Sequence, residues 1–145
     1  MKVVLQRVLG ARVEVEGQVV GEIEKGFVAF VGVAAGDDEA IASKLASKIA
    51  SLRVFDDAEG RFNFALRDVE GKVLLISNFT LCGDARKGNR PSFSTAAAPE
   101  TANRIFESLA TLLASQGVAV QKGIFGADMR VFVENDGPVT LILEA

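Results

Sequence analysis

Hydroxyl and amide side chains are the groups in this sequence that could do chemistry, because the chain contains no histidine and a single cysteine, Cys82. Without an imidazole, neither a Ser-His-Asp nor a Cys-His nucleophile can be assembled, since both need that ring to accept the proton. Zinc sites usually draw on cysteine and histidine as well. We therefore expect no metal and no cofactor. Cys82 follows an apolar run and is predicted to be a small packed residue rather than a nucleophile.

The first candidate segment is Ser-Asn-Phe-Thr-Leu at residues 77–81, which ends an apolar run predicted as a strand over residues 73–81. Hydroxyl and amide groups at the end of a buried strand can line a site. The alternative is that Ser77 and Thr80 are ordinary outward-facing strand residues. Thr80 is the nucleophile candidate by residue type, but no side-chain base is evident that could take its proton.

The second candidate segment is Asn-Asp-Gly-Pro-Val-Thr at residues 135–140, between two apolar runs. Asp-Gly is a common hairpin dipeptide, so a hairpin turn is the default prediction. Pro138, however, has no N–H to give to a strand ladder, and the bond before it can be cis, as about 5–6% of X-Pro bonds are. A special backbone geometry at Gly137–Pro138 is therefore the alternative.

The third candidate is the loop over residues 82–99, which is punctuated by glycine and proline and is long enough to suggest a function. Its first half carries Arg86, Lys87 and Arg90 with a single acidic residue, in a chain whose net charge is −3. Cations grouped in this way can hold phosphates without reading sequence. A solvated loop explains them equally well.

The elements that must position these segments are alternating strands and helices. Ile41, Leu45, Ile49 and Leu52 recur at spacings of four, four and three, which predicts an amphipathic helix capped by an aspartate just before it. A second helix is predicted over residues 99–116, with Gly117 at its end. Apolar alternation and short apolar runs predict strands near residues 3–5, 13–15, 19–23, 26–33, 53–55, 73–81, 118–121, 129–134 and 139–143.

This order of elements predicts one mixed α/β domain over residues 1–145, in which two main helices cover a largely antiparallel β-sheet system. A domain of this length hides roughly 68–70% of its unfolded surface, so it needs no disulfide or metal to be stable. Five phenylalanines are predicted to contribute to the core, namely Phe27, Phe30, Phe55, Phe62 and Phe64.

The composition also limits the partners. Sixteen Lys and Arg against nineteen Asp and Glu produce no broad basic field, so contact with a polyanion has to be local and DNA is not an expected partner. No apolar stretch approaches the ~18 residues of a membrane span, and no membrane partner is expected. No signal peptide is visible and the cysteine is single, which favours a reducing compartment, the cytoplasm.

Taken together, residues 77–81 and 135–140 resemble the two signature motifs of the D-aminoacyl-tRNA deacylases, Ser-Gln-Phe-Thr-Leu and Asn-x-Gly-Pro-Val-Thr. The resemblance covers the whole chain, and residues 90–93 and 127–129 match as well. One position departs, because Asn78 stands where the family usually has glutamine, an amide longer by one methylene. The family's fold is a barrel-like, three-layer arrangement of sheets covered by two main helices.

The resemblance implies a hydrolase that cleaves the ester between a D-amino acid, or glycine, and the 3′-terminal adenosine of tRNA. It implies no cofactor and no metal. It also implies a homodimer whose active site is completed in trans, because the family's Gly-Pro bond is cis and reaches from one subunit into the pocket of the other. Gly137 and Pro138 would then form a chirality gate that rejects L-aminoacyl-tRNA.

The resemblance further assigns roles to individual residues. Backbone N–H groups at Phe79 and Thr80 would stabilise the tetrahedral oxyanion, and Thr80 would orient the substrate rather than attack it. The attacking group stays open between water, Thr80 and the adenosine 2′-hydroxyl. The loop cations Arg86, Lys87 and Arg90 would contact tRNA phosphates. The pocket itself would be lined by Ser77, Asn78, Phe79 and Thr80, with walls from Phe125 and Met129.

Three other functions remain alternatives. A related deacylase with a trans Gly-Pro bond and relaxed chirality would act on small L-aminoacyl-tRNAs, and Asn78 keeps this possibility open. A small RNA-binding module would bind tRNA without shortening the lifetime of the ester. A purely structural dimer would be indifferent to substitution of Gly137.

Overall fold

The structure, a computed structural model, describes all residues from Met1 to Ala145. Strands and two α-helices alternate along the chain, and short 3-10 turns at Leu66–Val69 and Phe79–Cys82 flank one of the strands. The elements in chain order are β1 (Lys2–Val15), β2 (Gln18–Ile23), β3 (Gly26–Gly32), α1 (Glu39–Ser51), β4 (Phe55–Asp56), β5 (Phe62–Phe64), β6 (Lys72–Ser77), α2 (Pro99–Ser115), β7 (Ala119–Lys122) and β8 (Arg130–Glu144).

The long strand β1 organises the main sheet because it pairs along both of its sides. On one side its first half pairs with β3 and its second half with β2, and on the other side β8 runs along its full length, all antiparallel. β3 pairs with β6 and β6 with β7 in parallel, and each of these crossovers contains a helix, as parallel pairing requires. β2 returns close to β7, where a Cβ on Gly21 would lie 2.8 Å from the Lys122 carbonyl oxygen. The predicted mixed α/β, barrel-like class is confirmed.

Both predicted helices are present, and each carries its predicted end signal. The Asp38 carboxylate accepts the Ile41 N–H at 2.9 Å at the start of α1, and Gly117 with φ +81° follows α2. Apolar faces of both helices pack on one side of the sheet in a core of 24 buried residues, whereas a smaller cluster of seven lies inside the curved sheet. Neither helix is long and apolar enough to cross a membrane.

Two predicted strand breaks are wrong, because β1 continues through Gly10 and β8 continues through residues 135–139. No hairpin turn forms at Asp136–Gly137. Instead the Asn135 side-chain amide donates to the Arg7 carbonyl at 2.9 Å and to the Val139 carbonyl at 3.2 Å. The β1–β8 register shifts on both sides of the Val8–Asn135 pair, and pairing resumes at Gln6 and Thr140. The two Asn135 bonds hold the backbone of β8 in place across this irregular stretch. The Gly137–Pro138 peptide bond is cis.

Two further predictions are corrected by local structure. The strand predicted over residues 73–81 ends at Ser77, since the following residues turn into the 3-10 segment Phe79–Cys82. Phe27 and Phe55 are buried and stack with ring centroids 5.0 Å apart, and Phe30 is half-buried. Phe62 and Phe64 are not core residues. They are 56% and 39% exposed, because the short β4–β5 hairpin lies outside the main sheet.

Candidate active site

The 3-10 turn after β6 is fixed directly to the backbone of β3. The Asn78 N–H donates to the Val31 carbonyl at 2.8 Å, which continues the parallel ladder for one more residue. A Cβ on Gly32 would lie 2.9 Å from Leu81 Cβ and 3.1 Å from the Asn78 carbonyl oxygen. Glycine at position 32 therefore allows the turn to approach this closely, and the turn has little freedom to move.

The Asn78 side chain holds the turn from within. Its Oδ1 accepts the Thr80 backbone N–H at 3.2 Å and also accepts the Thr80 hydroxyl. An asparagine that bonds the backbone two residues ahead is a common way to start a turn, and this bond explains why the strand stops at Ser77. Phe79, between the two residues, points its exposed ring toward Phe93, with the centroids 5.1 Å apart in an edge-to-face contact.

A cavity of about 580 Å³ opens beside this turn. The strands β3 and β6 form its floor, the start of α2 forms one side, and residues 125–129 form the opposite wall. Its lining is mostly apolar, and the polar side chains in it are those of Ser77, Asn78 and Asp128. An apolar cavity with a few convergent polar groups is typical of a small-molecule site.

The structure brings together most of the residues predicted from the first motif. Ser77, Asn78 and Phe79 line the cavity, and Phe125 and Met129 form part of its wall. Thr80 is exposed and lies outside the lining, and both of its hydrogen-bond donors point to Asn78. The Phe79 N–H donates to no side chain and to no loop carbonyl, whereas the Thr80 N–H donates to Asn78 Oδ1.

The second motif lies elsewhere in the same chain. Gly137 and Pro138 are exposed on β8 and contribute nothing to the cavity lining. Within one chain, therefore, the two motifs do not meet.

Arg7 anchors the segment that carries Gly137 and is not among the site residues predicted from the sequence. Its Nε donates to the Asp136 carbonyl at 3.2 Å and lies 3.2 Å from Asp136 Oδ2, while its Nη1 donates to the Val54 carbonyl at 2.7 Å and lies 3.3 Å from Asp56 Oδ1. It is the one charged residue that is buried, at 5% exposure. The sequence does contain a signal for it, because Arg7 follows Val3 and Leu5 at every second position of β1 and so lies on the same buried face.

The loop over residues 82–99, which carries Arg86, Lys87 and Arg90, is held in shape by hydrogen bonds between its own residues. The Thr95 hydroxyl donates to the Cys82 carbonyl at 2.9 Å. The Asp84 N–H donates to the Ser92 carbonyl at 2.8 Å, and the Ser92 N–H donates to the Asp84 carbonyl at 2.9 Å. Arg86 makes a two-pronged contact with Asp84, at 2.9 Å from Nε and 2.6 Å from Nη2. These hydrogen bonds lower the pKa of the Asp84 carboxyl and raise the pKa of Arg86. The positive charge of Arg86 is therefore paired with the Asp84 carboxylate within the loop.

Cys82 packs as the sequence predicts. Its Sγ lies 3.6 Å from the Val33 carbonyl oxygen, and burial, followed by the nearby Asp37 carboxylate, raises the pKa of the thiol. A thiol with a raised pKa carries little thiolate at neutral pH and is a poor nucleophile.

Replacing Cys82 by alanine is expected to leave catalytic activity within about twofold of the wild-type value, because a thiol with a raised pKa is mostly protonated at neutral pH. Alkylation by iodoacetamide at neutral pH should be slower for the folded protein than for the urea-unfolded chain, and should accelerate as pH rises. Fast alkylation of the folded protein accompanied by loss of activity would contradict this.

Comparisons with known proteins cover the whole chain. The sequence profile of the family described as D-Tyr-tRNA(Tyr) deacylase matches residues 4–144. The chain is 56% identical to a D-aminoacyl-tRNA deacylase of Sorangium cellulosum, covering 100% of this chain and 97% of the relative. It is 54% identical to one from Pelobacter propionicus, covering 99% of each.

Two solved structures are also similar. One, described as a c-Myc DNA unwinding element binding protein, superposes with a TM-score of 0.93 at 35% identity, covering 100% of this chain and 99% of the other. A probable eukaryotic D-amino acid tRNA deacylase superposes with a TM-score of 0.84 at 16% identity, covering 98% and 97%, and shows the shared fold. With the family profile spanning nearly the full length and relatives more than half identical, the chain belongs to the D-Tyr-tRNA(Tyr) deacylase family of hydrolases.

Proposed function

We propose that this chain hydrolyses the ester bond between a D-amino acid, or glycine, and the 3′-terminal adenosine of tRNA, in the cytoplasm where aminoacyl-tRNA is used. Family membership supports the reaction class. The observation that carries the assignment to a site is the cavity bounded by Ser77, Asn78 and Phe79, next to a backbone N–H that has no acceptor in its own loop or side chains.

The chemistry suits a site without histidine. An aminoacyl ester is already activated, so its hydrolysis needs less assistance than that of an amide. A water oxygen bonds to the acyl carbon and gives up a proton, and the bond between the acyl carbon and the ribose 3′-oxygen then breaks as that oxygen takes a proton. Alternatively, the adenosine 2′-hydroxyl attacks first, which moves the acyl group to the 2′-oxygen and frees the 3′-hydroxyl, and water then cleaves the 2′-ester. The Phe79 N–H stabilises the oxyanion between these steps, and a single such donor is worth about 2.7–4 kcal/mol in other enzymes.

Thr80 orients rather than attacks in this proposal. Its hydroxyl proton points to Asn78 Oδ1, and no group with an imidazole or free amine stands beside it to act as a base. Its backbone N–H is shared with Asn78 at 3.2 Å, which is a long bond, so it contributes less to the oxyanion than the Phe79 N–H does.

Selection for the D-configuration comes, in the proposal, from Gly137 and Pro138 of a second copy. Gly137 has no Cβ, so the carbonyl oxygens around it can approach the substrate α-carbon and hold its ammonium group. They leave room for hydrogen, but not for a side chain, on one side of that carbon. A D-residue points its side chain outward, an L-residue collides, and glycine passes. Exclusion of this kind tolerates many different D-side chains.

Association of two copies is supported by the outer surface of β1 and β8. Phe132 and Ile142 are 40% and 66% exposed there, and Leu9 is 53% exposed. The side of β8 that faces away from β1 has no strand partner within the chain. Exposed apolar side chains beside an unpaired strand favour contact with another protein surface. In the proposal that surface is an identical copy, which brings Gly137 to the cavity.

Transfer RNA is held, in the proposal, by the cations of the loop over residues 82–99. Arg86 is paired with Asp84, which leaves Lys87 and Arg90 as the cations without an acidic partner.

Replacing Lys87 and Arg90 together by alanine is expected to raise KM for tRNA several-fold and to reduce the slope of log KM against log salt by about one to two, since each phosphate contact releases counterions. The matched control replaces Lys44 and Lys48, two exposed lysines on α1 with no acidic partner. Equal salt slopes in the two double variants would show that the loop does not hold the phosphates.

The proposed function is tested by hydrolysis of matched D-tyrosyl-tRNA and L-tyrosyl-tRNA, with glycyl-tRNA and L-alanyl-tRNA in parallel. Rapid loss of D-tyrosyl and glycyl esters with intact L-tyrosyl ester is the expected result. Preferential hydrolysis of L-alanyl-tRNA would instead establish the deacylase with relaxed chirality. Salt-dependent tRNA binding with no change in the lifetime of any ester would establish a binding module.

A further inference from the structure

Two phenylalanine rings lie exposed at the edge of the cavity and contact each other. Phe79 lines the cavity and is 58% exposed, whereas Phe93 lies outside the lining and is 36% exposed. Their ring centroids are 5.1 Å apart in an edge-to-face contact, and neither ring belongs to a buried core cluster. Adjacent exposed apolar side chains indicate a binding surface more strongly than isolated ones do.

The Phe93 ring is held in place by the backbone around it. A Cβ on Gly83 would lie 2.8 Å from Phe93 Cε1, so the ring packs directly against the glycine. The two backbone hydrogen bonds between Asp84 and Ser92 draw the ends of the intervening loop together next to this contact. Because the ring is already ordered, a ligand that stacks on it pays little conformational entropy.

The loop that this pairing closes carries the cations that have no acidic partner. Lys87 and Arg90 lie between Asp84 and Ser92, and Phe93 follows directly in the chain. The cavity, the aromatic pair and the cations are therefore consecutive neighbours, in space or along the chain. Aromatic rings beside cations are the combination that binds single-stranded nucleic acid, because bases stack on the rings while cations attract the phosphates.

We propose that the aromatic pair of Phe93 and Phe79 stacks with a base of the single-stranded 3′ end of tRNA, at a nucleotide that precedes the terminal adenosine. This inference rests on the proposed function, under which the ester and its adenosine occupy the cavity. The preceding nucleotides then pass over the aromatic pair, and their phosphates reach Lys87 and Arg90. Every base has a face that can stack on a ring, so this surface holds the 3′ end without reading its sequence.

Stacking and charge are separated by their salt dependence. Loss of one stacked base weakens binding about five- to 100-fold, but stacking releases no counterions. Substitution of Phe93 should therefore raise KM for tRNA without changing the slope of log KM against log salt. Substitution of Lys87 and Arg90 should change that slope. A short ester that has adenosine but no preceding nucleotide should be insensitive to Phe93.

The experiment measures kcat and KM for D-tyrosyl-tRNA at several salt concentrations, and kcat/KM for the short ester 3′-O-D-tyrosyl-adenosine, in wild type, Phe93→Leu and Phe93→Tyr. We expect Phe93→Leu to raise KM for the tRNA at least about fivefold, with kcat within about twofold and an unchanged salt slope. Phe93→Tyr keeps the ring and should stay within about twofold of wild type. All three proteins should hydrolyse the short ester equally well.

Phe64→Leu is the matched control, because Phe64 is 39% exposed on the β4–β5 hairpin, and its KM should equal that of wild type. The proposal is overturned if Phe93→Leu leaves KM for the tRNA unchanged or impairs the short ester to the same extent. It is also overturned if Phe93→Tyr is as impaired as Phe93→Leu, or if Phe93→Leu lowers the sedimentation coefficient, since the ring would then pack against a second copy. Absence of D-tyrosyl-tRNA hydrolysis by the wild-type protein would instead refute the proposed function itself.

Discussion

Replacing Gly137 by alanine is expected to lower kcat/KM for D-tyrosyl-tRNA by about 100-fold or more, since displacements of about 1 Å around a reacting group can cost that much. A Cβ at this position would lie 1.9 Å from the Val139 nitrogen and 3.0 Å from Val139 Cα, so the backbone itself has to move. If Gly137 acts as proposed, this movement displaces the carbonyl oxygens that hold the substrate's ammonium group. Initial rates of ester hydrolysis measure it.

Gly10→Ala is the control for this substitution. Gly10 lies on β1 opposite Glu134 of β8, and a Cβ there would meet its nearest atom, the Ile23 carbonyl oxygen, at an ordinary 3.7 Å. Its activity should stay close to that of wild type. If Gly137→Ala retains full discrimination between D- and L-tyrosyl-tRNA, Gly137 has no part in the selection.

Replacing Arg7 by methionine is expected to reduce both stability and activity. Removing one partner of a fully buried ion pair costs about 3–5 kcal/mol. The carboxylates left behind, Asp56 and Asp136, are 43% and 35% exposed, so we expect a smaller loss, roughly 2–3 kcal/mol, in urea unfolding. Because Arg7 also fixes the Asp136 carbonyl, we expect kcat/KM to fall by about tenfold or more.

The unfolding free energy and activity of Arg7→Lys should lie between those of wild type and the methionine variant, because lysine keeps the charge but not the planar fork that reaches four acceptor atoms at once. Arg104→Met provides the comparison for an exposed pair. Arg104 bonds Glu39 at 2.6 Å with a side chain that is 61% exposed, so its loss should cost no more than about 1 kcal/mol. Equal unfolding free energies for the Arg7 and Arg104 variants would contradict the anchoring role.

The sequence predicted the elements whose pattern is local. Both helices could be predicted because their apolar residues repeat at helical spacing and their ends carry Asp38 and Gly117. The buried strand β3 could be predicted because both of its faces are covered, which makes it apolar throughout. The fold class followed from the order of these elements.

What could not be predicted depends on individual side-chain hydrogen bonds and on where an element lies in the fold, and neither leaves a periodic pattern in the sequence. The apolar residues of the first motif look like strand, but one side-chain bond from Asn78 ends the strand at Ser77. Asp-Gly looks like a hairpin turn, but the Asn135 amide bonds to Arg7, 128 positions away, and keeps β8 extended. Phe62 and Phe64 alternate with polar residues as core residues do, but Phe62 is exposed because the short β4–β5 hairpin is not part of the main sheet.

The interruption in β8 also affects how the protein behaves at high concentration. A long unpaired strand presents a row of N–H and C=O groups on which other chains can assemble into aggregates. On β8 that row is broken near its middle, because Pro138 has no N–H to offer and the spacing is irregular from Asn135 to Val139. Each remaining regular stretch is only about half a strand long. The segment proposed to discriminate handedness thereby also limits uncontrolled growth of intermolecular sheet.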